Sequence, residues 1–241
     1  MSWPEAVALG IDDLEHGPVF TDTEFVADRK PDACPAGGGR SSWAKQDVNG
    51  AQVQEMIRNL VTHHVAVTST LPVFEAHAPG RPPLQPRTLD AMSAESAQSY
   101  LTDRARVALD SPMMALLRKE MDFEIAFVKA GGLLLAGPDP TGNGGVLPGF
   151  GDQREIELLV EAGFTPVEAI QIATENGALY LGQQDRIGTL ASGKQADLVL
   201  IKGDRSKRID EIENVETVFK AGIGYDSKKL IDSVRGQVGI R

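Results

Sequence analysis

Between Ala51 and Thr62 the apolar residues Val53, Met56, Ile57, Leu60 and Val61 recur at helical spacing, and the β-rich run Val65–Leu71 follows, so a helix feeding a strand is expected there. The same alternation continues downstream. Helices are predicted near Ala94–Leu109 and Met113–Ala130, the second stopped by Gly131 and Gly132, and Leu133–Ala136 has the unbroken apolar character of a buried strand. Two further helices are predicted over Gln153–Ala162 and Pro166–Leu181, the latter with Thr165 as N-cap and Pro166 in its first turn. At the start, Pro4–Leu9 reads as the end of a helix stopped by Gly10, and Ile11–Glu15 as a short strand. Strands alternating with helices argue for parallel βα units. After Gly182 the texture changes to short strands with turns, at Gly188–Leu190, Ala196–Ile201 and Val215–Lys220, before a closing helix over Ser227–Arg235. Val19–Asn49 and Pro72–Pro86 have little periodicity and much Pro, Gly and polar residue, which predicts long loops, and within the glycine-rich Gly137–Gly151 the run Gly142–Gly145 predicts a flexible lid.

A 241-residue chain with 41% hydrophobic and 24% charged residues can bury a sizeable core, and no apolar run is long enough to span a bilayer. The N-terminus lacks the basic start and apolar core of a secretory signal, so the cytoplasm is the expected location. A net charge of -10 disfavours nucleic acid and anionic membranes, leaving a small molecule as the expected partner. The single cysteine, Cys34, excludes an internal disulfide and a thiolate cluster.

Where parallel strands and helices alternate, reacting groups collect at the C-terminal ends of the strands. The first strand delivers His16 just before Gly17, and the third delivers Asp139 between Pro138 and Pro140. An imidazole can ligate a metal, and a stiffly held carboxylate can do the same or take a proton from a water. Each residue alone is more ordinarily a hydrogen-bonded histidine or a turn-forming aspartate. His63 and His64 precede the second strand and lie at its other pole, so they are expected to be structural or surface residues. His77 follows that strand on the correct side and is a candidate substrate or metal contact, and Arg154 and Gln153, near the start of a helix, are candidates to orient a substrate carboxylate. No phosphate loop, dinucleotide fingerprint or nucleophile elbow is present.

Gly10–Gly17 resembles the sixth strand of the amidohydrolase superfamily barrel, and Gly131–Asp139 resembles its eighth. The segments Gly163–Ile170, Ala173–Ala178 and Gly188–Val199 resemble that family's run into its C-terminal β module, nearest to imidazolonepropionase-like and prolidase-like members. The resemblance implies an α/β fold, the C-terminal part of a TIM-like (β/α)8 barrel with a small β-sandwich module. It divides as a partial barrel over 1–182, a β module over 183–225, and a C-terminal helix and tail over 226–241. It also implies one or two divalent metals, usually zinc, that activate water against a carbon–nitrogen bond. His16 then matches the sixth-strand metal ligand, and Asp139 the eighth-strand aspartate that binds metal and handles the proton. Pro138 departs from the small or hydroxyl residue usual before that aspartate.

The family's remaining ligands belong to strands upstream of Met1. Because a catalytic zinc needs about three protein ligands and this chain offers two, it is expected to be incomplete alone, whether or not it binds a metal by itself. The resemblance implies a small amide or dipeptide-like substrate. Unpaired strand edges are expected to be covered by a complementary N-terminal half or by self-association. A site assembled across a homo-oligomer and a non-catalytic scaffold or interaction module are the alternatives.

Overall fold

The computed structural model describes residues 1–18, 25–26, 30, 33, 40–81, 85–140 and 145–238. Cys34, the glycines at 142 and 144, and most of the expected loop before Arg40 lie outside the described residues. Helix α1 (Trp3–Ala8) is opened by a capping box in which the Ser2 hydroxyl accepts from the Glu5 N–H and Glu5 returns to the Ser2 N–H. Strand β1 (Asp13–Glu15), a short helix α2 (Arg40–Trp43), helix α3 (Ala51–Thr62) and strand β2 (Ala66–Ser69) follow. Helix α4 (Leu71–His77) begins almost immediately, and α5 (Pro86–Ala91), α6 (Ala94–Ala105) and α7 (Met113–Lys129) lead to strand β3 (Leu134–Ala136). Then come α8 (Phe150–Ala162) and α9 (Pro166–Gln171), which runs through a π-helical turn at Ile172–Asn176 into α10 (Gly177–Tyr180). Strand β4 (Leu198–Ile201), a 3-10 turn (Ile209–Glu213), strands β5 (Val215–Lys220) and β6 (Ile223–Asp226) and helix α11 (Ser227–Ser233) complete the described elements.

Strands β1, β2 and β3 form a parallel sheet in that order, with Leu14 beside Val67 and Thr68 beside Leu135. Among the described residues this mixed α/β sheet is an open arc, not a closed barrel. Its cover is helical. Trp3, Trp43, Phe74, Phe123 and Phe127 are fully buried, with Phe123 edge-on to both tryptophans and stacked on Phe127 at 6.1 Å between ring centres. Gly132 has no side chain because the Phe127 ring occupies that space; a Cβ there would come within 2.4 Å of it.

The second sheet, β4–β5–β6, is antiparallel and single-layered among the described residues, so the expected small sandwich is present as one face only. The 3-10 turn between β4 and β5 joins it to the first unit: Ile212 is buried, its carbonyl accepts from the Gln153 amide, and Glu213 pairs with Arg87. Three other expectations are corrected. Pro72 does not open a loop: it sits in the first turn of α4, where its missing N–H costs nothing. Gly188–Leu190 is not a strand, because Gly188 takes φ +88° and packs so tightly on Ala178 that a Cβ would lie 2.5 Å from that side chain. The long helix over 166–181 is interrupted by the π turn, which lets the Asn176 amide donate to the Leu134 carbonyl of β3 at 2.8 Å.

Candidate active site at the strand tips

His16 follows β1 directly and Asp139 lies three residues beyond β3, so the two flank the end of β2. Both backbones are left-handed, with φ +62° at His16 and +44° at Asp139, a region that is strained for residues other than glycine. Packing holds them there. The His16 N–H donates to the Thr68 carbonyl at 3.2 Å, continuing the sheet by one bond past β1. The Gly137 N–H donates to the Ser69 carbonyl at 3.0 Å, and a Cβ on Gly137 would press to 2.8 Å from the Thr68 methyl. The chain therefore passes close over β2 before Pro138 turns it.

The side chains converge. His16 Nε2 lies 3.5 Å from Asp139 Oδ2, and His16 Nδ1 lies 2.6 Å from the Thr70 hydroxyl. The Phe74 ring meets the imidazole edge-on at 6.4 Å. Burial lowers the pKa of His16 and outweighs the opposing pull of Asp139, which favours the neutral, lone-pair-bearing imidazole. Carboxylates crowd the same tips. Burial first, then Asp13 and Asp139, raises the pKa of Glu15. Asp13 accepts from the Thr68 hydroxyl at 2.7 Å, while its other oxygen is buried with no hydrogen-bond partner among the described residues.

This donor set fits part of a divalent-cation site. Two ligands of a tetrahedral zinc, each about 2.0–2.2 Å from the metal, stand about 3.3–3.6 Å apart, which matches the separation of His16 Nε2 and Asp139 Oδ2. Among the described residues, however, no cluster of three or more His, Cys, Asp or Glu side chains able to hold a metal occurs. The other candidates stand elsewhere. His63 and His64 sit beyond α3, before β2, at the opposite pole. His77 is at the exposed last turn of α4, where partial burial and the charges of Arg40 and Arg104 keep its pKa low. Arg154 donates to both oxygens of Glu75, at 2.8 and 2.9 Å, and to Glu157. It lines a cavity of about 140 Å³, bounded by Pro72, Tyr100 and Phe150, that His16 and Asp139 do not reach.

Behind the tips lies a group that the sequence reading passed over. Glu120, Glu124 and Glu155 are buried; Ser69 donates to Glu155 at 2.6 Å, and among the described residues neither oxygen of Glu120 has a hydrogen-bond partner. Burial pushes Glu120 and Glu155 each up to about 8, and burial together with Glu155 and Glu120 raises Glu124 well above the usual carboxylate range. The signal was present: Glu120 and Glu124 occupy the same helical face as Met113, Leu116, Leu117 and Phe127.

Residues 142–224 match the amidohydrolase family model. The resemblance is to the amidohydrolase family. Over 111 residues the chain is 35% identical to an adenine deaminase of Ligilactobacillus salivarius, covering 45% of this chain and 19% of that protein. Its fold is similar to that of a prolidase solved with N-methylphosphonate-L-proline, with a TM-score of 0.58, 18% identity, and coverage of 93% of this chain and 42% of that one. It is likewise similar to a Xaa-Pro dipeptidase solved with methionine in its active site, with a TM-score of 0.57, 21% identity, and coverage of 93% and 42%. The chain thus spans less than half of the prolidase and dipeptidase structures it matches, and about a fifth of the deaminase. Among the described residues no helix is long and apolar enough to cross a membrane.

Proposed function

We propose that this chain supplies the strand-tip portion of a metal-dependent hydrolase site acting on carbon–nitrogen bonds of small amide, cyclic amide or dipeptide-like molecules. The observation that carries this reading is the convergence of His16 Nε2 and Asp139 Oδ2 at the ends of two strands that flank a third. The deaminase and dipeptidase relatives support it, since both names denote attack at a carbon–nitrogen bond. A divalent metal, zinc by ligand type, held by His16, Asp139 and ligands from outside the described residues, would polarise the scissile group and acidify a water. Asp139 is half exposed, which leaves a carboxylate oxygen free to take a proton from the attacking water and deliver it to the leaving nitrogen. Phe74 and Thr70 hold the imidazole from its other sides. In this reading β1–β3 form an arc of a larger barrel, and the missing ligands come from a complementary N-terminal half or from a second copy.

A non-catalytic scaffold is the second reading, favoured by the count of two ligands among the described residues. Elemental analysis of the zinc-loaded, dialysed chain separates the two. Near-stoichiometric zinc, abolished by His16→Ala and by Asp139→Ala, is the expected result, with the chain alone or with the complementary half added. Zinc retained equally by both variants would remove these residues from the site. Zinc retained under neither condition would leave the scaffold.

A further inference from the structure

We propose that Glu157 and Glu213 share a single proton and so form a pH-responsive latch between helix α8 and the 3-10 turn that joins β4 to β5. The latch is independent of the hydrolase reading above. Glu157 lies on α8 with its side chain 6% exposed, and Glu213 ends the turn with its side chain 20% exposed. Each has its own cation. Arg154 donates to Glu157 Oε2 at 2.5 Å, and Arg87 meets Glu213 Oε1 at 2.9 Å while its guanidinium lies over the Phe150 ring. The two carboxyl groups also stand within hydrogen-bonding reach of each other, and Glu157 Oε1 is buried with no donor among the described residues. Two carboxylates offer each other no hydrogen. One proton between them turns the same contact into a hydrogen bond, whichever of the two carries it.

The other charges nearby are engaged elsewhere. From α4, Glu75 accepts from Arg154 on both oxygens and also pairs with Arg81, which in turn holds Glu161 at the end of α8. Arg104 of α6 is directed at the carbonyls of Ala76, Ala78 and Arg81, and on the turn itself Asp210 and Glu211 pair with Arg208. Among the described residues, only Arg154 and Arg87 make ion pairs with Glu157 or Glu213. Burial raises the Glu157 carboxyl to about 7; Arg154 opposes the rise and Glu213 adds to it. Because Glu213 is partly exposed, the proton can exchange with solvent. Below the midpoint of the pair the shared proton ties the turn to α8, beside buried Ile212, whose carbonyl takes the Gln153 amide at 3.4 Å. Above it, two carboxylates face each other across the junction and repel.

The test is carbon NMR of the glutamate carboxyl groups in the full chain from about pH 5 to about pH 9, read together with amide hydrogen exchange across the turn. Glu157→Gln and Glu213→Gln assign the two signals. In the wild type both should move together through one midpoint near 7, and in either variant the surviving carboxyl should titrate about one pH unit lower, because its negative partner is gone. Exchange across Ile209–Glu213, corrected for its intrinsic pH dependence, should quicken about tenfold above the midpoint in the wild type. It should stay level in Glu213→Gln, whose amide can donate to the Glu157 carboxylate at every pH. Both carboxyls ionised by pH 5, a survivor whose midpoint does not move, or exchange that quickens equally in Glu213→Gln would each overturn the proposal. Should one variant fail to fold, the wild-type titration and the other variant still decide it.

Discussion

The two sheets have three strands each but opposite surroundings. Every residue of β2 is buried between its parallel neighbours and the helices, whereas every residue of β6 is exposed. In the antiparallel sheet Val199, Leu200 and Ile223 are half or more exposed. That sheet is held by its ladder and by Asp197, which ties Lys220 and the Ala221 N–H. In the parallel sheet apolar burial carries the stability, and of the buried hydroxyls toward the end of β2, Thr68 donates to Asp13 and Ser69 to Glu155. The difference teaches that a sheet flanked by parallel neighbours and helices is closed to solvent, while the antiparallel sheet leaves apolar side chains uncovered among the described residues.

The largest expected effect attacks the buried side of that comparison through Glu120. Its folded pKa is raised by burial from 4.5 to about 8, so its contribution to stability is fully present below about pH 4.5 and is lost as pH rises toward 8, because the unfolded chain ionises first. The upper bound is about 5 kcal/mol at about 1.4 kcal/mol per pH unit. Glu124 and Glu155 titrate in the same direction, so Glu120→Gln should remove part of the slope in urea midpoint between pH 5 and 8. An unchanged slope would show that Glu120 is not a neutral buried acid. Next in size, Phe123→Ala should cost about 3–5 kcal/mol by opening a cavity among Trp3, Trp43 and Phe127. Smallest, Leu200→Ala on the exposed sheet should stay within about 0.5 kcal/mol in the chain alone. A loss comparable to that of Phe123→Ala would mean that this sheet is already covered in solution.

Much of the fold was legible because its helices are strongly periodic. Ala51–Thr62 is a helix with the expected bounds, and the end of the Met113 helix at Gly131 and Gly132 is where the glycines put it. Pro72 misled because proline breaks a helix interior but starts a helix equally well, and one residue type cannot say which. His16 and Asp139 were legible as strand-end residues, and the structure brings them together. The contact of the Thr70 hydroxyl with His16 was not, since it joins residues 54 positions apart and is settled by how β1 pairs with β2. Glu120 and Glu124 could have been found as acids on an apolar stripe.

The Lys119 ammonium donates to the carbonyls of Trp43, Ala44 and Gln46 and sits 5.8 Å from the Trp43 ring centre. It thereby closes the end of α2 with a group supplied more than seventy residues later. A helix of four residues is too short to stand alone, so the segment around Trp43 has nothing to form on until α7 exists. During synthesis, the stretch that carries Trp43 emerges ahead of Met113–Lys129 and settles only when that helix is available to receive it.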